Sequence, residues 1–318
     1  MGMKKHTLKA INSFGEDITR NASTPANPYL FKVRDAPKLS EEKADIFHSI
    51  TAQLLFVGNR CRLDIKTAVA FLCTRVASPD EDDWKKLRRV LQYLRGTIDL
   101  KLTLGADDIT KMESWIDVSY GIHEDCRSHT GGLISWGWGV LACKSQKQKL
   151  NTKTSTEGEI VGASDFMPNM IWARMFLKAQ GFKVTQNILH QDNQSAMKII
   201  KNGRMSSGQK TKHMDNRYFW IKDRINSEHI DVRYCPTEKM IADSFTKPLQ
   251  GKLFRKFRDI ILGYTHIRDL DNEDEKITSE ERVRSNIENT TIKTSVNGPS
   301  CDVSWADIVS GKKYEIHQ

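Results

Sequence analysis

Three apolar, strand-like segments follow one another without a helix between them, and helices alternate with strands after that. The predicted strands lie near residues 112–119, 129–137, 139–147, 187–192 and 230–235. The predicted helices lie near residues 156–180, 194–202, 210–226 and 239–249. Consecutive strands favour antiparallel pairing, whereas strands separated by helices favour parallel pairing. This order predicts an α/β fold with one five-stranded mixed sheet.

Four acidic residues stand at the ends of these predicted elements. Asp117 and Asp192 each end a strand-like run, while Glu159 and Asp243 open helical stretches. Carboxylates at strand ends and helix starts can converge on one rim of a sheet. There they can bind two divalent cations, an arrangement used in phosphodiester hydrolysis.

Each of these carboxylates also has a purely structural explanation. Glu159 follows Thr156 by three residues, which is the spacing of a capping box. Asp192 fits an N-cap of the following helix, and Asp243 fits a first helical turn, where a carboxylate complements the helix dipole. Asp117 fits a simple strand terminator. Taken singly, each residue is explained better by local structure, so the case for chemistry depends on the surrounding sequence.

Six short motifs surround the four acids in a fixed order. They are T-G-G-L-I-S-W-G (130–137), K-S-Q-K-Q-K-L (144–150), S-T-E-G-E (155–159), Q-D-N-Q-S-A (191–196), T-K-H-M-D-N-R-Y (211–218) and A-D-S-F-T-K-P-L (242–249). Together they closely resemble the ribonuclease H domain of copia-type LTR retrotransposon Pol polyproteins. The resemblance is strong over residues 115–263. Residues 39–104 resemble more loosely the segment at the end of the reverse transcriptase in those polyproteins.

The resemblance implies a fold, an activity and a set of site residues. The fold is a ribonuclease H-like five-stranded mixed sheet with flanking helices, preceded by a smaller, mainly helical segment. The implied activity is hydrolysis of the RNA strand of RNA–DNA hybrids by a two-metal-ion mechanism. By position in the motifs, Asp117, Glu159, Asp192 and Asp243 are the catalytic acids and the metal ligands. Their hard oxygens favour two Mg²⁺ ions, with Mn²⁺ as the alternative.

The sequence also departs from the family pattern. Ser119 replaces the second acid of the opening Asp-x-Asp, and Ile160 replaces a Tyr. No Tyr/Phe-x-Asp-Asp hairpin is present, since Asp107 and Asp108 follow Gly105 in a predicted turn, so no polymerase active site is expected. A competing hypothesis is a catalytically silent mobile-element remnant that at most binds nucleic acid.

The net charge of +9 favours a polyanionic partner. The expected partners are an RNA–DNA hybrid and the rest of a retrotransposon polyprotein. Candidate nucleic-acid-binding residues are Lys144, Lys147, Lys149, Asn193, Ser195, Lys212 and His213. Asn193 and Ser195 offer donors and acceptors of the kind that can contact a 2′-hydroxyl group. For each lysine the alternative is a solvated charged face.

Cysteine usage and hydropathy predict an intracellular protein, cytoplasmic or nuclear. The six cysteines form no C-x-x-C pair, which predicts free thiols and no zinc site. No signal peptide and no apolar run of membrane-spanning length is recognisable, so no membrane partner is expected. The predicted organisation is a disordered segment (1–38), a helical segment (39–105), the ribonuclease H-like domain (110–264) and a disordered tail (265–318).

Local signals add detail to two predicted helical regions. Ser40 and Asp80 are predicted helix caps in the helical segment. Gly158 and Gly162 are predicted to let the helix bearing Glu159 approach the sheet closely, and Pro168 is predicted to kink or divide that helix.

Overall fold

Five strands pair into one mixed sheet in the computed structural model of the chain, which describes residues 1–202 and 212–270. The described part of the chain has seven strands in all: β1 Gly105–Ala106, β2 Lys111–Ser119, β3 His129–Ser135, β4 Gly137–Trp138, β5 Val140–Lys147, β6 Gln186–Gln191 and β7 Ile230–Tyr234. The sheet order is β5-β3-β2-β6-β7, and the short β1 and β4 pair with each other. Pairing is antiparallel among β2, β3 and β5 and parallel among β2, β6 and β7. The predicted mixed sheet is therefore confirmed.

Helices precede the sheet and flank it. In the described part of the chain they are α1 Lys4–Asn12, α2 Glu41–Arg60, α3 Lys66–Cys73, α4 Glu81–Gly96, α5 Ser155–Ala179, α6 Gln194–Asn202, α7 Lys212–Ser227 and α8 Gly251–Ile261. Short 3-10 helices occupy Leu63–Ile65, Thr237–Lys239, Ile241–Phe245 and Ile267–Leu270. No helix in these described ranges is both long and apolar enough to cross a membrane.

The two faces of the sheet carry different partners because side chains alternate along each strand. Ile116 and Ile134 face a core shared with α5, α6 and α7. Trp115 and Leu133, their strand neighbours, face a second core shared with the 3-10 helix Ile241–Phe245 and α8. Both faces are therefore buried, which leaves the strand ends as the accessible rim.

Two adjacent glycines in β3 let helices approach both faces at one level. A Cβ atom added at Gly131 would lie 2.6 Å from Cγ2 of Thr246, and one added at Gly132 would lie 2.6 Å from the Phe166 ring. Real Cβ contacts are not that short, so larger residues would push these elements outward. Gly131 pairs with Asp117 in the ladder, so the close approach occurs beside the first of the four acids.

The long helix α5 also approaches the sheet closely, as its glycines predict. A Cβ added at Gly162 would lie 2.6 Å from Val118 Cγ2, whereas one at Gly158 would make an ordinary contact at 3.4 Å. Pro168 was predicted to kink or divide the helix, and the division is wrong because the helix continues through it. Buried neighbours on both sides, Met167 and Met170, hold the helix against the sheet and offset the lost backbone hydrogen bond.

The predicted helical segment is present as α2, α3 and α4. Ser40 accepts a hydrogen bond from the Lys43 amide, and Asp80 forms a capping box with Asp83. The segment also reaches the sheet, because Val57 and Leu63 lie in the same core as Trp115 and α8. Helical segment and sheet therefore share buried apolar surface.

Residues 1–38 were predicted to be disordered, and the structure corrects this prediction. They include α1, and Phe14 stacks on Trp84 at 4.5 Å between ring centroids. Leu30 and Phe31 are buried in the core of the helical segment. These apolar residues have no regular spacing, so their burial depends on distant partners that local periodicity does not show.

The predicted disordered tail is corrected at its start. Within residues 265–270, Ile267 and Leu270 are buried and belong to the core beside α8. The rest of that prediction, residues 271–318, lies outside the described residues.

Candidate active site at the rim of the sheet

Three of the four predicted acids meet at one end of the sheet. Asp117 lies in β2, Glu159 lies in the second turn of α5, and Asp192 directly follows β6. One carboxylate oxygen from each lies within 4.8 Å of those of the other two. Asp117 and Glu159 are buried and Asp192 is half-buried, so the cluster opens towards solvent at Asp192.

Neither Glu159 nor Asp192 serves as a helix cap. The N-cap of α5 is Thr154, and the Glu157 carboxylate accepts a hydrogen bond from the Lys153 amide at 2.7 Å. Because Glu157 completes the cap, Glu159 is left for the interior of the site.

At α6 the capping group is the side chain of Asn193. Its Oδ1 accepts a hydrogen bond from the Ala196 amide at 2.9 Å. The capping explanation weighed for Asp192 thus applies to its neighbour, and the Asp192 carboxylate faces the other acids instead.

Asp243 is linked to the cluster through Asp117 and Lys247. It lies on the 3-10 helix Ile241–Phe245, where an α-helix over residues 239–249 was predicted. Pro248 offers no backbone N–H for a helical hydrogen bond and disfavours helical backbone at Lys247, so the helix is not expected to extend to residue 249. Lys247 Nζ lies 2.7 Å from Asp243 Oδ1 and 3.7 Å from Asp117 Oδ2. The ammonium group thereby joins the two carboxylates.

The charge of Asp117 perturbs all three other acids. Burial and the charges of Asp117 and Asp192 raise the pKa of Glu159 well above its ordinary value. Burial and the charge of Asp117 likewise raise the pKa of Asp192 and of Asp243. Burial alone would lower the pKa of Lys247, but the charge of Asp117 and the contact with Asp243 raise it. The ionised forms of these three acids are therefore disfavoured in the absence of a bound cation.

Sequence reasoning missed three residues that hold the acids in place. Gln191, which is buried, donates to Glu159 Oε2 at 3.2 Å and accepts from the Asp192 and Asn193 amides. Thr246 donates its hydroxyl hydrogen to Asp117 Oδ2, and Lys247 binds Asp243. All three stand inside the motifs that surround the acids, which is the signal that could have identified them.

The predicted nucleic-acid-binding residues take different positions. Lys144 donates to the Asp165 carbonyl at 2.9 Å, and burial lowers its pKa. Lys147 pairs with Asp125 at 2.8 Å. Lys149 and Ser195 are exposed.

Three predicted contacts remain. Asn193 is half-buried and caps α6. Lys212 and His213 begin α7, and their side chains lie outside the described residues.

The donor set fits divalent cations. Every predicted ligand offers a carboxylate oxygen, the hard donor that Mg²⁺ and Mn²⁺ prefer. Burial and the neighbouring carboxylates raise the pKa of Glu159 and of Asp192, so a cation bound at this point would favour their ionised forms. Both properties suit a site that a cation completes.

The sheet order and its acid-bearing rim define a ribonuclease H-like α/β fold. No protein-family model matches the chain. Over 267 residues it is 27% identical to the retrovirus-related Pol polyprotein from transposon TNT 1-94 of Nicotiana tabacum, covering 82% of this chain and 20% of that protein. Over 271 residues it is 24% identical to the transposon Ty1-NL2 Gag-Pol polyprotein of Saccharomyces cerevisiae, covering 80% of this chain and 15% of that protein.

The homologues of this chain over about 80% of its length are therefore Pol polyproteins from copia- and Ty1-type transposons. That result confirms the family resemblance of the motifs. The chain spans only 15 to 20% of the length of these two relatives.

Two solved structures show a weaker likeness. RNase H1 from the archaeon Halobacterium salinarum matches with a TM-score of 0.28 at 13% identity, covering 43% of this chain and 91% of that one. The foamy viral protease-reverse transcriptase in complex with an RNA/DNA hybrid matches with a TM-score of 0.37 at 11% identity, covering 78% and 28%. Likeness at this level carries no functional conclusion.

Proposed function

We propose that the chain is a ribonuclease H that hydrolyses the RNA strand of RNA–DNA hybrids. The observation that carries the proposal is the convergence of Asp117, Glu159 and Asp192, with Asp243 bound to the same group through Lys247. None of these carboxylates caps a regular α-helix in the structure, so the structural alternatives for Glu159 and Asp192 do not account for their positions.

The chemistry follows from the arrangement of the acids around Asp117. Two divalent cations, Mg²⁺ by donor preference, would activate the attacking water and stabilise the leaving oxygen. Asp117 interacts with Glu159, Asp192 and Asp243 alike, so we propose that its carboxylate serves both cations. Gln191 and Thr246 fix the orientation of the buried carboxylates by hydrogen bonds. The half-buried Asp192 is the acid nearest to solvent and thus to an incoming phosphate.

The proposed substrate rests on charge and on the relatives. A net charge of +9 favours a polyanion, and the exposed Lys149 lies in the segment that leads to α5. The relatives are Pol polyproteins, one of them named as retrovirus-related. We infer that the chain acts on hybrids as one part of a retrotransposon polyprotein.

Cleavage by the purified chain tests this function. With Mg²⁺, the RNA strand of a labelled hybrid should be cut and a DNA duplex of the same sequence left intact. Asp192→Asn should abolish cleavage because a proposed ligand is lost, while Asp231→Asn, which changes an exposed carboxylate on β7, should not. Equal cutting of both duplexes, or full activity of Asp192→Asn, would reject the assignment.

The same variant separates a metal ligand from a helix cap by its stability. The raised pKa of Asp192 means that its ionised form destabilises the metal-free fold as pH rises past its ordinary value. Near pH 7, Asp192→Asn should therefore melt at the same temperature as the wild type or higher. Mg²⁺ should stabilise the wild type by mass action and the variant much less.

A further inference from the structure

The 3-10 helix that carries Asp243 is fixed by hydrogen bonds from outside itself. Three consecutive carbonyl groups after Asp243 accept side-chain hydroxyl groups from three different elements. The pairs are Thr67 Oγ1 to the Ser244 carbonyl at 2.6 Å, Ser145 Oγ to the Phe245 carbonyl at 2.8 Å and Ser119 Oγ to the Thr246 carbonyl at 3.2 Å. A short 3-10 helix has weak internal hydrogen bonds, so such external donors determine where it lies.

Two of these donors belong to the sheet, but Thr67 belongs to the helical segment. It lies in the first turn of α3 and is 6% exposed. Its hydrogen bond to the carbonyl next to Asp243 is the shortest of the three. The helical segment thus reaches directly to the backbone that presents the fourth acid.

Apolar packing reinforces this contact. Ile241 and Phe245, on either side of Asp243, are fully buried in the core that also contains Val57 and Leu63 of the helical segment. Movement of the helical segment would therefore displace the backbone of the 3-10 helix. Apolar burial alone does not fix the orientation of the 3-10 helix. The hydrogen bond from the Thr67 hydroxyl group does, because its strength depends on the donor–acceptor angle.

We propose that Thr67 is a positioning residue of the active site, and that α3 holds Asp243 within reach of Asp117. The helical segment then contributes to the geometry of the active site and is not an independent domain. This inference rests on the proposed function, since it concerns the placement of a proposed metal ligand.

Three variants of the full chain isolate the hydroxyl group. Thr67→Val removes the donor at nearly constant volume, and Thr67→Ser restores it. Thr74→Val is the matched control, because Thr74 donates only within its own segment, to the Phe71 carbonyl at 2.7 Å. Mg²⁺ affinity is measured by titration of the melting temperature, and kcat and KM are measured on the hybrid.

The expected result is a selective loss in Thr67→Val. Its Mg²⁺ affinity should fall about tenfold, the lower end of what groups that orient metal ligands contribute. kcat should fall while KM for the hybrid is unchanged, and Thr67→Ser and Thr74→Val should match the wild type.

A general loss of stability has a different signature. Val69→Ala removes buried volume from the core of the helical segment, so it should lower the melting temperature and leave the Mg²⁺ affinity of the folded protein unchanged. If Thr67→Val behaves like Val69→Ala, the positioning role is rejected while the nuclease assignment stands. If the wild type neither cuts the hybrid nor binds Mg²⁺, the proposed function itself fails, and the positioning role with it.

Discussion

At the scale of single residues, the ammonium group of Lys247 compensates part of the negative charge at the rim. It contacts Asp243 directly and lies 3.7 Å from Asp117, while 38% of its side chain remains exposed. A cation entering the cluster competes with this ammonium group for the same oxygens. Lys247 should therefore stabilise the metal-free protein and weaken metal binding.

Replacing Lys247 with Met tests this balance. The metal-free variant should lose about 1 kcal/mol of unfolding free energy, a value that allows for the partial exposure of the pair. Its melting temperature should rise more steeply with Mg²⁺ than that of the wild type, because the competing charge is gone. Lys252→Met, at an exposed position of α8, is the control. An unchanged Mg²⁺ response in Lys247→Met would show that the ammonium group of Lys247 does not compete with Mg²⁺.

At the scale of elements, the paired glycines of β3 determine how closely the 3-10 helix and α5 approach the sheet. Gly131 faces the 3-10 helix beside Asp243, and Gly132 faces Phe166 of α5. The motif T-G-G therefore has a steric explanation: one glycine serves each face of the sheet. Both lie at the level of Asp117, where the acids from the two flanking elements must meet.

Gly131→Ala should disturb the site through this contact. The added methyl group would lie 2.9 Å from the Ala242 carbonyl oxygen, so the 3-10 helix must move outward. The expected cost is about 1 to 3 kcal/mol of unfolding free energy, together with weaker Mg²⁺ binding. Gly158→Ala has room at 3.4 Å and should be neutral or stabilising by helix propensity, about 1 kcal/mol. Equal Mg²⁺ affinity in both variants would contradict the steric account.

A buried pair of histidines, one in the connection between β2 and β3 and one at the start of β3, contacts the N-terminal region. His123 Nε2 lies 3.0 Å from His129 Nδ1, and Phe31 packs edge-on against both rings. Ser145 donates to the Phe245 carbonyl, so it must accept from His129 Nε2. His129 Nδ1 is then the acceptor for His123 Nε2–H, and both rings are neutral.

The pair predicts an acid-sensitive fold. Burial and the charge of His123 lower the pKa of His129 to about 3, and burial and the charge of Lys147 lower that of His123 to about 4. Below pH 6.5 the unfolded histidines gain protons first, so this contribution to stability is lost as the pH falls from 6.5 to about 4. The loss is at most about 1.4 kcal/mol per pH unit and histidine.

In this pH range the carboxylate cluster makes the fold more stable as the pH falls, which is opposite to the effect of the histidines. The contribution of the histidines to the unfolding free energy is therefore obtained by comparing a histidine variant with the wild type. His129→Gln should show a smaller loss of unfolding free energy between pH 7 and pH 5 than the wild type. His6→Gln, at an exposed position, should retain the full loss. Parallel pH profiles for all three proteins would contradict the assignment of neutral, buried rings.

At the scale of the whole molecule, local patterns predicted the elements but not their docking. Alternating apolar runs gave the strands, and Ser40 and Asp80 identified two helix starts, because these signals involve neighbouring residues. Motif order brought the four acids together through a family resemblance. The capping explanations for Glu159 and Asp192 were wrong because the actual capping residues are close neighbours in the sequence. Glu157 lies two residues before Glu159, and Asn193 follows Asp192 directly.

Long-range partners had no such signal. Thr67 and Ser244 are 177 positions apart, and nothing near either residue indicates the other. The N-terminal residues Phe14 and Phe31 are buried against helices far along the chain, so their irregular spacing resembled disorder. Such contacts join residues that are distant in the sequence, so a local sequence window does not show them.

The shared core also determines when, during synthesis of the chain, the four acids can come together. Ribosomes release the chain from its N-terminus, so the helical segment and Asp117 emerge well before Asp243. The 3-10 helix that carries Asp243 packs against Phe257 and Ile261 of α8, which emerge later still. A nascent chain therefore carries an incomplete acid cluster until α8 has left the ribosome, and the proposed cleavage activity can appear only after that point.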